Sequence, residues 1–275
     1  MDRGHFEVLA DGDQRHWWLR ARRRILGDVL AAVLPAGPAP GEAPIVIDVG
    51  CGTGANIAAL AGAYRCIGID TAPSAIELAR KRFPDVEFRC GIAPQDLGDV
   101  IGRAGAVLLM DVLEHVEDDH AMLAPLVRAL SPGALVVITV PADMRLWSAH
   151  DEGLLHFRRY DEATLRAAWR GLPVEPIAVT NFCTHTYPIA RVQRGLARLL
   201  ARSRPRHADW TMPVPVAPLN RFLERLFASE SRGLVEIVRG RRGPRRTPGS
   251  SLLAVLRRTA EQPGAATAPR AEARG

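Results

Sequence analysis

Ile45-Val46-Ile47-Asp48-Val49-Gly50-Cys51-Gly52-Thr53-Gly54-Ala55-Asn56 is the stretch whose reading decides the fold. An apolar, β-branched run ends in an acid, and the acid leads into three alternating glycines. The run predicts a buried parallel strand over 45–49, a tight loop, and then a helix from Ala55. Glycine lacks a Cβ, so such a loop can turn with positive φ and let a ligand lie against bare backbone. The helix that follows points its unpaired N–H groups at the same place. Together these features read as a cofactor site.

Outward from this loop, strands and helices alternate. Strands are expected at 66–69 (ending at Asp70), 86–90, 106–110 (ending at Asp111), 134–140 and 174–180. Helices are expected at 55–64, 74–83 with Ser74 and Glu77 as a capping box, 119–130 around Pro125, and 161–169 capped by Asp161. Repeated units of this kind make a parallel sheet covered on both faces. Upstream, 15–34 reads as a helix with Trp18, Arg22, Ile25, Leu26, Val29, Leu30 and Val33 on one mostly apolar face. A Pro/Gly linker, 35–44, follows it. Downstream, 182–248 breaks the pattern with two apolar-periodic stretches, 187–200 and 218–227, around a loop over 205–218. A last strand returns at 250–256. The organisation expected is 1–44 as an N-terminal helical cap and linker, 45–181 as core, 182–248 as a helical insertion or lid, 249–260 as last strand, and 261–275 as a disordered tail.

Composition bounds the class. The chain has 275 residues, 47% apolar and 24% charged, as in an ordinary globular protein, and no apolar run approaches the ~20 residues of a membrane span. No secretory h-region precedes the first helix, so the protein is expected in the cytoplasm. Cys51, Cys66, Cys90 and Cys183 form no C-x-x-C pair and read as buried free thiols. Net charge is +6, and the arginines cluster at 20–24, 202–206 and 239–246. Such clusters permit anionic partners, including peripheral contact with a membrane surface.

The glycine loop alone admits two cofactors. Gly50, Gly52 and Ala55 satisfy the dinucleotide pattern, and Asp70 stands twenty residues on to hold ribose hydroxyls. An NAD(P)-dependent oxidoreductase is therefore one reading. It lacks a Tyr-x-x-x-Lys pair, because Lys81 is the sole lysine. The other reading rests on a resemblance. Asp48 through Gly54, Gly68-Ile69-Asp70, Val107 through Val116 with its Glu114-His115-Val116 turn, and Leu130-Ser131-Pro132-Gly133 together resemble the motifs of class I S-adenosylmethionine-dependent methyltransferases. The segment around Glu114-His115 is similar to quinone-biosynthesis O-methyltransferases. Gln14 through Arg23 and His150 through Tyr160 resemble flanking motifs of a bacterial subgroup tied to secondary-metabolite, polysaccharide or lipid biosynthesis.

The resemblance implies an α/β, Rossmann-like, mostly parallel seven-stranded sheet with helices on both faces. Its last strand is antiparallel, between the fifth and sixth. It also implies S-adenosyl-L-methionine as cofactor, with the methionine part against Asp48, Gly50, Cys51, Gly52 and Gly54. Asp70 would take the ribose, the backbone at Gly91 and Ile92 the adenine, and Asp111 the methionine amino group. Family members often place an acid after the third strand, where this chain has Ile92-Ala93 and its nearest acid is Asp96. The acceptor expected is small or lipid-like, methylated on oxygen, with His115 the first candidate base and Glu114 and His156 behind it. His156 through Tyr160 could instead grip an anionic acceptor through arginine. The acidic turn from Asp111 to His120 is read without a metal, because acids also favour helix N-termini. No nucleic-acid partner is expected, as neither an N-P-P-Y-type motif nor an RNA-binding module is present. A non-enzymatic S-adenosylmethionine-binding protein remains the other alternative. The oligomeric state is not legible.

Overall fold

The computed structural model describes residues 3–37, 43–200 and 214–260. Seven strands form one sheet in the order β3-β2-β1-β4-β5-β7-β6. They are β1 (Ile45–Val49), β2 (Arg65–Asp70), β3 (Glu87–Cys90), β4 (Ala104–Met110), β5 (Leu135–Pro141), β6 (Val174–Phe182) and β7 (Ser251–Arg258). The pairs β1·β2, β1·β4, β2·β3 and β4·β5 are parallel, and β7 runs antiparallel between β5 and β6. This is the Rossmann-like arrangement expected. The carboxyl ends of β1, β2 and β4 meet where the order reverses, the place at which open α/β sheets bind ligands.

Consecutive apolar residues in the strands follow from burial on both faces. One face places Ile47, Val107, Leu109, Val136 and Ile138 in a core shared with Leu123 and Val127 of α5 (Asp119–Ala129) and Leu165 of α7 (Glu162–Ala167). The other sets Val46, Leu108 and Val137 in a core with Ile25, Val29 and Leu30 of α2 (Trp17–Val33), and with Ile76 and Ala79 of α4 (Pro73–Arg82). Each fully buried aliphatic side chain contributes about 1.5–3 kcal/mol, so α2 is part of the core rather than a loose cap.

Several local expectations need correction. The helix after the glycine loop, α3, covers only Ala55–Ala58. Beyond it Leu60, Ala61 and Ala63 donate three residues back, to Ile57, Ala58 and Leu60, which tightens the chain out of α geometry before Gly62 can continue it. Helix α4 begins at Pro73, whose fixed φ suits the first turn, with Ala72 as N-cap and no side-chain cap bond. The Ser74–Glu77 box is therefore not the N-terminal device. Pro125 lies inside α5 without delaying it. Asp161 does cap α7, accepting from the Thr164 N–H at 2.8 Å.

Three α-helices were not expected: α1 (Arg3–Asp13), tied to α4 by the Asp13–Arg82 ion pair at 2.6 Å, the short α6 (Ala149–Gly153), and α10 (Glu230–Val238). The insertion contributes α8 (Tyr187–Leu200), α9 (Ala217–Ala228) and α10, while α6 lies between β5 and α7. Most of the 205–218 loop and all of the 261–275 tail lie outside the described residues.

Candidate active site

The glycine loop is packed at its ends and open in its middle. Gly50, Gly52 and Gly54 all have positive φ. A Cβ on Gly50 would stand 2.7 Å from Val112 Cγ2, and one on Gly54 2.6 Å from Phe88 Cζ. A Cβ on Gly52 would meet nothing within 4 Å. The loop is anchored by Gly50 and Cys51 N–H donating to Ile69 O at 2.8 and 3.1 Å. Beneath it Asp48 is buried, and neither carboxylate oxygen has a partner among the described residues. Burial, and secondarily the charge of Asp70, push its carboxyl up to about 8. Burial likewise drives the Cys51 thiol far up, so Cys51 is an inert packing group.

Asp70, at the end of β2, braces the loop it was expected to serve. Its Oδ2 accepts the Gly52 N–H at 2.8 Å and its Oδ1 the Ala72 N–H at 2.9 Å. Each carboxylate oxygen retains a second lone pair for a further donor. Next to it, Gly91 N–H donates to Asp70 O at 3.0 Å. After β3 the nearest acid folds back from a turn away: Asp96 Oδ2 accepts the Ile92 N–H at 2.7 Å. A Cβ on Gly91 would lie 2.5 Å from that oxygen, so glycine is what lets Asp96 fold back.

At the end of β4, Asp111 has φ 59°, a conformation costing a non-glycine residue of order 1 kcal/mol. Expected to take the methionine amino group, it also meets Arg22 of α2, whose Nη2 lies 2.6 Å from the carboxylate. Arg22 also donates to Thr139 Oγ1 at 2.7 Å and Ser251 Oγ at 3.3 Å. Its guanidinium lies 5.0 Å from the ring centre of Trp18 and 5.1 Å from that of Phe182. Arg22 is 4% exposed, whereas the Asp111 side chain is 32% exposed, so the pair opens on the carboxylate side. Sequence reasoning had counted Arg22 only among the helix-face and basic residues. A lone arginine within an otherwise apolar helical stripe was the available signal. Trp17 and Trp18 pack on Phe227 of α9 at 6.2 and 6.5 Å between ring centres, so they join the insertion to the core.

The third group of candidates converges. Glu114 and His115 sit on a short turn after β4, and His156 arrives from the segment after α6. One ligand atom from each lies within 4.8 Å of the others. The two imidazoles meet edge to face, 4.6 Å between centres, and Phe157 N–H donates to Glu114 O at 2.7 Å. Glu114 is fully buried with both carboxylate oxygens unpartnered among the described residues. Burial first, then the charge of Asp111, raises its carboxyl well above the usual range. His156 Nδ1–H donates to buried Asp151 at 3.2 Å, and Arg159 Nε donates to the same oxygen at 2.7 Å. Asp151 is held low by these two bonds against its burial. Arg158 pairs with Asp119 at 3.2 Å, and Tyr160 donates to the same carboxylate at 2.8 Å. Both arginines thus answer acids of the chain itself. Exposed Leu155 and Phe157 flank His156, and exposed Met144 lies in the preceding loop.

A family model described as a methyltransferase domain matches residues 46–133. The chain is 34% identical over 146 residues to a trans-aconitate 2-methyltransferase of Methylobacterium nodulans, covering 50% of this chain and 52% of that protein. It is 33% identical over 106 residues to a ubiquinone biosynthesis O-methyltransferase of a Methylobacterium species, covering 37% of this chain and 42% of that protein. The chain spans about half the length of the curated relatives it matches. A solved geranyl diphosphate C-methyltransferase of Streptomyces coelicolor, 15% identical, superposes with a TM-score of 0.52 over 85% of this chain and 78% of that one. That likeness is one of fold.

Proposed function

We propose that the chain is a class I S-adenosylmethionine-dependent methyltransferase that transfers a methyl group to a hydroxyl of a small or lipid-like acceptor, a reading supported by the methyltransferase-domain match and the methyltransferase relatives. The observation that carries this reading is the buried Arg22–Asp111 pair beside the open centre of the glycine loop. The Asp111 carboxylate, open on its outer side, complements an amino acid's ammonium, and buried Arg22 behind it holds that carboxylate in place and lends positive potential to the same end of the pocket. Gly52 leaves room against bare backbone, and Asp70 keeps lone pairs for ribose hydroxyls. The residues present therefore fit S-adenosyl-L-methionine, whose sulfonium supplies an already activated methyl.

What remains for the chain is alignment, exclusion of water and disposal of one proton. The acceptor oxygen forms its bond to the methyl carbon as the carbon–sulfur bond breaks, and the sulfur keeps the electron pair. The hydroxyl proton passes to a side chain of the Glu114-His115-His156 group, with an imidazole nitrogen of His115 the first candidate. Asp151 fixes the His156 ring, and the Phe157–Glu114 bond holds the two loops together.

Apolar side chains favour an acceptor with a hydrophobic part. Leu155, Phe157 and Met144 are exposed, and so are Ile189, Val192 and Leu196 of α8. Helix α8 is tied to the same loop by the Tyr187–Asp143 hydrogen bond. The exposed apolar residues of α8, with Arg191 among them, also suit peripheral contact with a membrane surface. Among the described residues no helix is long and apolar enough to cross a membrane.

The test is transfer of labelled methyl from S-adenosyl-L-methionine to hydroxylated extracts, run beside thermal melts with S-adenosylhomocysteine and with NADH. Labelled ether and stabilisation by S-adenosylhomocysteine are expected. Stabilisation by NADH alone would overturn the reading.

A further inference from the structure

We propose that Glu114, His115 and His156 form a binding site for one divalent cation of the borderline class, such as Co²⁺, Zn²⁺, Fe²⁺ or Mn²⁺. Three observations converge on it. The ligand atoms, two imidazole nitrogens and a carboxylate oxygen, already lie within 4.8 Å of one another. Donors placed ~2.0–2.2 Å from one shared ion stand at most about 4.4 Å apart, so this separation is close to what such an ion requires. The Glu114 carboxylate is fully buried with both oxygens unpartnered among the described residues, an arrangement that leaves desolvation unanswered unless something else satisfies it. His156 donates its Nδ1–H to Asp151, which leaves Nε2 as the nitrogen for a ligand. A carboxylate behind a ligating imidazole is the usual outer support of a metal-bound histidine, fixing its tautomer and ring orientation.

The donor set also chooses the ion. Two imidazoles and one carboxylate on one side suit transition metals, whereas Mg²⁺ and Ca²⁺ prefer oxygen ligands throughout. Asp111, which could have made the set more oxygen-rich, is held by Arg22 instead. Three protein ligands leave coordination positions open, and exposed Leu155 and Phe157 beside His156 would border a ligand occupying them. An acceptor hydroxyl bound there loses its proton more readily, because the cation stabilises the alkoxide or phenolate. With the cation bound, His115 acts as one of its ligands and the hydroxyl proton leaves to water; without it, His115 is the candidate base. The site rests on side-chain geometry and not on the methyl-transfer reading.

The experiment is a titration of the full chain, stripped with a chelator, with Co²⁺ alone. One saturable equivalent with a visible d–d absorption band is expected. Asp151→Asn should weaken binding by about 10–100-fold, as loss of an outer carboxylate does elsewhere, and His156→Ala and Glu114→Gln should each abolish the band. If His156→Ala does not fold, as read by its melt, Glu114→Gln decides, since it keeps the volume and removes only the carboxylate ligand. Absence of a saturable band in the unaltered chain, or the same affinity in both ligand variants, overturns the proposal. Neither methyl donor nor acceptor enters the titration, so that failure would leave the methyl-transfer reading untouched.

Discussion

Replacing Arg22 by methionine keeps the aliphatic bulk that lies against Trp18 and Phe182 but removes the cation from Asp111, Thr139 and Ser251. Breaking a buried ion pair by deleting one partner costs about 3–5 kcal/mol. Asp111 is 32% exposed, so water relieves part of that cost. The expected loss of stability is about 2–3 kcal/mol, in the range of hydrogen bonds to charged groups. With the guanidinium gone, Asp111 is no longer held for the ammonium of the methionine part, and losing that charge-assisted contact of about 1.5–3 kcal/mol weakens binding by roughly 10–150-fold. Arg22→Lys should recover part of the stability but less of the affinity, because an ammonium cannot reproduce the planar fork. Denaturant unfolding gives the first quantity and calorimetric titration with S-adenosylhomocysteine the second. A stable Arg22→Met protein that binds S-adenosylhomocysteine within twofold of the unaltered chain would refute the reasoning.

Other substitutions probe the rest of the donor side. Asp70→Ala removes the acceptor of the Gly52 and Ala72 N–H groups, so it should weaken cofactor binding and loosen the glycine loop. Unchanged affinity with unchanged hydrogen exchange at Gly52 would argue against both roles. Gly54→Ala places a methyl 2.6 Å from Phe88 at φ +83° and should cost about 1–3 kcal/mol by overpacking, read from the denaturation midpoint. For Asp48, the folded chain holds a proton up to about pH 8 that the unfolded chain releases near 3.8. Stability should therefore fall as pH rises through that window, and Asp48→Asn should flatten the slope. Parallel stability–pH curves for the two proteins would contradict the assignment. His115→Ala should cut turnover while sparing S-adenosylhomocysteine affinity, and full activity would dismiss it as base or ligand.

The donor half was legible because its signals are local. Val46 to Gly54 encodes strand, acid and loop in consecutive residues, and the parallel sheet follows from apolar runs buried on both faces. Asp70 and Asp111 were found because each ends a strand. Arg22 escaped because its role depends on a partner 89 residues away, brought near by α2 packing on the sheet. The same holds for His156, whose neighbours Glu114 and His115 come from another loop. Its sequence neighbours gave only a basic motif, whose arginines turn out to answer Asp119 and Asp151. Asp96 was named as the nearest acid, but its return to Ile92 depends on Gly91 lacking a Cβ. Local errors had local causes. Ser74–Glu77 fits a capping box, yet Pro73 starts the helix a residue earlier. The apolar period over 55–64 does not report that its second half winds more tightly than an α-helix.

The central claim is a donor pocket made by the glycine loop, Asp70 and the Arg22–Asp111 pair. Calorimetric titration of the full chain with S-adenosylhomocysteine tests it most directly. The account predicts saturable one-to-one binding that weakens in both Asp70→Ala and Arg22→Met. No binding, or binding indifferent to both substitutions, would contradict it.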